Sequence, residues 1–169
     1  MKRNIIAIAF LFLALSFFSP VESLASMADI GAAELARLDS ARLAKEAKVI
    51  VQGEVKSVKS YKGINDIIYT RASFSVSDVF KGKIAKKNIT VEYRGGEIED
   101  EPRLERGEQA LLFLTNSFWR KNVYYIVGGV LGKYAICPDD TVRIGSSCDE
   151  DSEAKQTLDE LLNEIENAK

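Results

Sequence analysis

The sequence predicts a small, mainly β protein: a closed antiparallel barrel of five or six strands, with a helical segment before it and an α-helix after it. Three observations carry that expectation. From Val49 onward, apolar residues recur at every second position through several runs, the period of a strand with one buried face. Glycines such as Gly53 and Gly82 punctuate the two longest runs, where sheets bend or end. Near the C-terminus the apolar period changes to three and four, that of an amphipathic helix. Closure would remove exposed strand edges; an open antiparallel sandwich satisfies the same pattern.

The chain opens MKRNIIAIAFLFLALSFFSPVESLAS. Lys2 and Arg3 make a positive start, Ile5 to Phe18 is an unbroken run of apolar and small residues, and Pro20 ends it. Ser23 and Ala25 place small side chains before a cut at Ser26, the layout of a secretory signal peptide over residues 1–25. An uncleaved anchor is the competing reading. Fourteen residues at about 1.5 Å rise make only about 21 Å, however, against a hydrocarbon core of about 30 Å. Cleavage leaves no membrane span and predicts a secreted or periplasmic protein. Residues 26–169 then form one domain, with the barrel over about 48–137.

ADIGAAELARLDSARLAKEAK (Ala28 to Lys48) has mixed helical spacing and reads as one helix or two, with Ser40 a second start. VIVQGEVKSV sets Val49, Val51, Gly53 and Val55 against Gln52, Glu54 and Lys56. KGIND (Lys62 to Asp66) is a turn, and IIYTRASFSVSDVF alternates again up to Gly82, so the two strands form a hairpin. NITVEYR (Asn88 to Arg94) is a third strand, closed by Gly95 and Gly96. EQALLFLT (Glu108 to Thr115) is almost continuously apolar, which predicts a central strand covered on both faces. Tyr124 to Val127 is a fifth strand, and GKYAIC from Gly132 a short sixth. The tail DSEAKQTLDELLNEIENAK predicts a helix over about 152–168. Leu158, Leu161, Leu162 and Ile165 lie on one face, and Asp151 and Glu153 stand at its positive end. Thr157 with Glu160 matches a capping box, but lies inside the periodic run.

Composition narrows the chemistry. The chain has no histidine, so a Ser-His-Asp or Cys-His centre cannot be built and the commonest zinc ligand is missing. Its two cysteines, Cys137 and Cys148, enclose turn-forming residues. In an oxidising compartment such a pair closes a disulfide worth roughly 3 kcal/mol. Removing residues 1–25 takes away Lys2, Arg3 and Glu22, leaving 21 basic and 24 acidic residues, a formal charge of −3. That balance speaks against sequence-independent nucleic-acid binding. No cofactor or metal site is expected.

AKVIVQGEVKSV, IIYTRASFSVSDVFKGK, NITVEYRGG, PRLERGEQALLFL and YYIVGGVLGKY together resemble the netrin-like, tissue-inhibitor-of-metalloproteinases-like OB-fold, in its small exported bacterial form. The resemblance covers about residues 44–136. Its most telling pieces are Val79-Phe80-Lys81-Gly82 and Gly107-Glu108 before the Leu111 to Leu114 run. It implies an OB-like barrel. The family's vertebrate inhibitors chelate a protease zinc through an N-terminal cysteine, and here no cysteine stands near Ser26, so that mechanism does not transfer.

Several polar clusters compete for a role. Glu97, Glu99, Asp100, Glu101, Glu105 and Glu108 make an acidic loop that reads as solvated, with calcium binding or glycoside hydrolysis as sharper options. Asp139, Asp140, Asp149, Glu150 and Asp151 gather at the neck of the cysteine loop. KGKIAKK (Lys81 to Lys87) is a basic connection, and Asn88-Ile89-Thr90 a glycosylation sequon. Phe118, Trp119 and Arg120, in a hairpin tip between the fourth and fifth strands, are the best binding candidates. Apolar bulk is not needed for turning there, and Trp and Arg recur as binding hot spots. Packing of Trp119 over the barrel end is the competing reading. The expectation is a non-enzymatic binding module of the cell envelope, with an unidentified protein or glycan partner. A protease inhibitor acting without zinc chelation and a carboxylate-dependent glycan enzyme are the other two classes.

Overall fold

The computed structural model describes residues 39–63, 66–95, 102–145, 148 and 156–168. The leader over 1–25, the segment from Ala28 to residue 38, the acids Glu97, Glu99, Asp100 and Glu101, and the acids Asp149, Glu150, Asp151 and Glu153 lie outside them.

Strands β1 (Val49–Lys62) and β2 (Ile68–Lys81) form the expected long hairpin. Alternation decides which face each residue takes: Val49, Val51 and Val55 of β1, with Ala72, Phe74 and Val76 of β2, are buried together. The pair bends sharply, with register breaks between Ile50 and Val51, Gln52 and Gly53, and Val55 and Ser57. Gly53 sits at the bend because a Cβ there would overlap the Ser75 carbonyl oxygen and lie 2.9 Å from the Phe74 ring. Gly82 ends β2 at φ +80°, a conformation that costs other residues strain.

Strands β3 (Asn88–Arg94), β4 (Gln109–Asn116) and β5 (Val123–Ile126) complete the ring. Its order is β1-β2-β3-β5-β4, and β4 pairs back onto β1 from Val49↔Leu114 to Glu54↔Gln109. The barrel is closed, and the order is OB-like. Its antiparallel pattern has one break: β3 and β5 run parallel at Thr90↔Val123 and Val91↔Tyr124. Geometry requires this, since strands that alternate in direction cannot close a ring of five without one parallel pair.

Three shorter strands, β6 (Lys133–Ile136), β7 (Thr141–Ile144) and β8 (Gln156–Thr157), extend the sheet from β4. The turn-forming residues between the cysteines read as a loop. Instead the turn occupies only its start: Asp139 accepts from the backbone N and hydroxyl of Thr141 at 3.2 and 2.6 Å, Asp140 takes φ +60°, and β7 follows with Val142 buried. Cys137 and Cys148 are disulfide-bonded, with Cα atoms 5.5 Å apart.

Two cores result. Inside the barrel are Val51, Phe74, Ile89, Val91, Leu112, Leu114 and their neighbours. Outside it, two helices cover one flank: α1, helical over residues 39–46, and α2 (Leu158–Ala168). Leu43, Ala44 and Ala47 at one end, and Leu161 and Ile165 at the other, pack on Ile50, Leu111, Phe113 and Tyr134. Strand β4 is therefore buried on both faces, Ala110, Leu112 and Leu114 inward and Leu111 and Phe113 under the helices, as its apolar run required. Ser40, fully buried, donates to Glu164 at 2.8 Å and joins the helices. Lys81 donates to the carbonyls of Ala44 and Lys45 at 2.5 and 3.2 Å, holding the C-terminal end of α1.

Helix α2 begins at Leu158, later than expected. Thr157 and Glu160 bond reciprocally, backbone N to Glu160 Oε2 at 2.9 Å and Glu160 N to Thr157 Oγ1 at 3.3 Å. The capping box is thus the true start: it takes up N–H groups that have no partner in the first turn. Before it, Gln156 and Thr157 pair with β7.

Candidate functional site

The outward faces of β1, β2, β3 and β5 meet the β4–β5 hairpin tip on one side of the barrel. Strand alternation sends Ile89, Val91 and Tyr93 inward and Glu92 outward, and the register sets Arg71 of β2 opposite Glu92. Glu92 is only 3 % exposed, and three side chains donate to its carboxylate. Tyr61 Oη donates to it at 2.8 Å, Arg71 Nε at 2.6 Å and Arg120 Nη1 at 2.9 Å, while Arg120 Nη2 also bonds its other oxygen. Tyr125 Oη completes the fork by accepting from Arg120 Nη2 at 2.9 Å. Burial alone would raise the Glu92 pKa; the bonds from Arg120, Arg71 and Tyr61 outweigh it and bring the pKa to about 2. Arg120 and Arg71 are correspondingly held in their charged forms, each foremost by its bond to Glu92.

This cluster is structural in its chemistry. Every group in it is partnered, and a carboxylate with so low a pKa is a poor proton acceptor at neutral pH. Its effect is to fix the tip. Ser117 N bonds the Val123 carbonyl at 2.8 Å, Arg120 N bonds Ser117 Oγ at 3.2 Å, and Asn122 turns the chain at φ +61°. Asn122 Nδ2 then bonds the Asn88 carbonyl at 2.9 Å, and Thr90 N bonds the Asn122 carbonyl at 3.1 Å. Between these anchors Phe118 and Trp119 stand out, 86 % and 87 % exposed, edge to face with ring centroids 4.6 Å apart. On the β1–β2 hairpin the rings of Tyr61 and Tyr69 stack, centroids 5.8 Å apart, with the Arg71 guanidinium 4.4 Å from the Tyr61 centroid.

The structure thus separates the three tip residues. Phe118 and Trp119 are offered to solvent, and Trp119 is not folded over the barrel end; Arg120 turns back and is bound to Glu92. Glu92, Tyr61, Arg71 and Tyr125 were not singled out from sequence. The available signal was opposite charge on the polar faces of adjacent strands, which becomes readable only once the β2–β3 register is known.

The other clusters go elsewhere. Glu108 pairs at 2.7 Å with Lys133, a buried lysine that also donates to the Arg103 carbonyl, so both serve to hold the segment before β4. Glu105 N is bonded by Glu108 Oε2 at 3.0 Å. Asp139 serves the β6–β7 turn, and Lys81 serves α1. In the sequon, Asn88 is exposed and Ile89 buried in the barrel. The carboxylates that a glycan enzyme would need fall outside the described residues. Among the described residues no group of three His, Cys, Asp or Glu could hold a metal. Nor is any described helix long and apolar enough to cross a membrane. A pocket of about 230 Å³ opens at the barrel mouth beside Val58, Tyr93 and Leu104. Its hydroxyls are spoken for, Ser60 with Thr70 at 3.0 Å and Tyr93 with Leu104 N at 3.2 Å.

No family model matches the chain, and no curated protein matches it.

Proposed function

We propose that this chain is an exported, non-enzymatic binding module of the cell envelope that engages its partner through the β4–β5 tip. One observation carries the reading: two large aromatic side chains are almost wholly exposed on a loop whose next residue, Arg120, is bound to a buried carboxylate. Burying an apolar side chain of this size gains about 1.5–3 kcal/mol, and a tip already ordered loses little entropy when it docks. The cysteine pair and the signal-peptide layout support an oxidising compartment outside the cytosol. The OB-like strand order supports, as part of the same proposal, kinship with the netrin-like barrels.

The test compares the wild-type chain with a Phe118→Ala/Trp119→Ala variant in capture by envelope fragments prepared without detergent. The variant should lose capture while its thermal midpoint changes little, since exposed positions away from caps and turns cost within about 0.5 kcal/mol. Unchanged capture would refute the reading, and an unfolded variant would assign both rings to packing. Titration of free thiols in material recovered outside the cytosol checks the compartment; two free thiols would remove that support.

A further inference from the structure

We infer that the aromatic tip is a peripheral membrane-docking element that seats on an anionic phospholipid surface. The inference deepens the proposed function and rests on it, because it names what the tip binds.

Its physical basis is the company Phe118 and Trp119 keep. Lys121 follows in the same turn and is exposed. Asn122 is bonded to the Asn88 carbonyl and Thr90 N, which brings the tip against the start of β3. Immediately before β3 runs the connection Gly82-Lys83-Ile84-Ala85-Lys86-Lys87, whose three lysines are all exposed. Lys87 is fixed in place by Val76 N on its carbonyl at 2.8 Å. No acidic residue occurs from Val79 to Val91, nor from Gln109 to Pro138. A protein of net negative charge therefore gathers cations, free of carboxylates along both stretches, next to the most exposed aromatic pair among the described residues.

A bilayer interface matches that combination in both parts. Tryptophan and phenylalanine partition to the headgroup level, where the ring is apolar and the indole N–H meets water. Lysines around them are drawn to anionic headgroups, each strengthening binding by about fivefold near a charged surface. Neither attraction suffices alone, and a short apolar wedge with a basic rim makes reversible, charge-dependent association. A glycan or protein site at the tip would need polar groups aimed at the ligand, whereas Arg120 and Arg71 are committed to Glu92.

Trp119 is the only tryptophan in the chain and reports its own environment. The chain as recovered from its producing cells is titrated with vesicles of phosphatidylglycerol and phosphatidylcholine in equal parts, and with phosphatidylcholine alone. The mixed vesicles should shift Trp119 emission to shorter wavelength and sediment the protein; neutral vesicles should do neither. Raised salt should weaken the association. Lys86→Gln/Lys87→Gln/Lys121→Gln should lose on the order of a hundredfold in affinity, and Phe118→Ala/Trp119→Ala should cease to sediment. Equal binding to neutral vesicles overturns the inference. So does sedimentation that survives Phe118→Ala/Trp119→Ala, which would attribute binding to residues outside the tip. An unshifted Trp119 with anionic vesicles, combined with tip-dependent capture of an envelope protein or glycan, overturns it while leaving the proposed function standing. Failure of both assays removes both.

Discussion

Replacing Glu92 by glutamine tests how the tip is held. Glutamine keeps the shape of the side chain but removes the charge, and its amide nitrogen presents donors where Arg120 Nη2 already donates. In the wild type, the fall of the Glu92 pKa from 4.5 to about 2 corresponds to at most about 3 kcal/mol of stability. Solvent reaches the arginines, whose side chains are 45 % and 37 % exposed, and screening reduces this to about 1–2 kcal/mol. Glutamine keeps one neutral oxygen for Tyr61, Arg71 and Arg120 Nη1 but sets an NH2 against Arg120 Nη2, which adds to the loss, so Glu92→Gln should cost about 2 kcal/mol at pH 7 and lower the thermal midpoint by roughly 5–8 °C. The pH dependence has a definite sign. A depressed pKa stabilises the folded state above about 4.5, and the benefit drains away as pH falls towards 2. Urea denaturation of both proteins at pH 7, 5 and 3 should therefore show the gap shrinking by roughly half or more between the last two. Freed of Glu92, Arg120 should also let the tip move, and Trp119 fluorescence anisotropy should drop. A variant within about 0.5 kcal/mol of wild type at neutral pH, or a gap unchanged on acidification, would refute the account of Glu92 as the anchor.

Three further outcomes follow from the packing. Gly53→Ala should cost about 3 kcal/mol or more, because the new methyl meets the Ser75 carbonyl at the strand crossing; a urea midpoint near that of wild type would mean the bend relaxes freely. Thr157→Ala should cost about 1 kcal/mol and reduce helical circular dichroism, since it removes one half of the capping box; a neutral effect would move the helix start elsewhere. Replacing Cys137 and Cys148 together by serine should lose about 2–3 kcal/mol, and reductant should lower the melting point of wild type alone; insensitivity of wild type to reductant would contradict the cross-link.

Much of the barrel was legible because its cause is local. Val49, Val51 and Val55 face inward for the period-two reason that marked them in the sequence. The run from Ala110 to Leu114 is apolar throughout because each face meets a different core. The misses are equally specific. Thr157 and Glu160 were legible as a capping box, but Leu158, Leu161, Leu162 and Ile165 keep their spacing wherever the helix begins, so periodicity could not choose the start. Strand β7 was hidden by turn residues on both sides of only four residues, Thr141–Ile144.

Aromatic residues in a turn stand out from composition alone, and Phe118 and Trp119 were visible in that way. The cluster that positions them was not. Glu92 belongs to one strand, Arg71 to another, Tyr61 to a third and Arg120 to the hairpin, and a difference of one residue in register would send Glu92 against a different partner. Alternation, turn chemistry and the paired cysteines are properties of neighbouring residues, and they determined the elements and the class of fold. Which outward side chains share a face depends on bulges, strand crossing and the parallel closure of β3 on β5, all set by contacts between distant parts of the chain. Only the tertiary structure decided that Arg120 turns inward to a buried acid while the two rings before it remain in water.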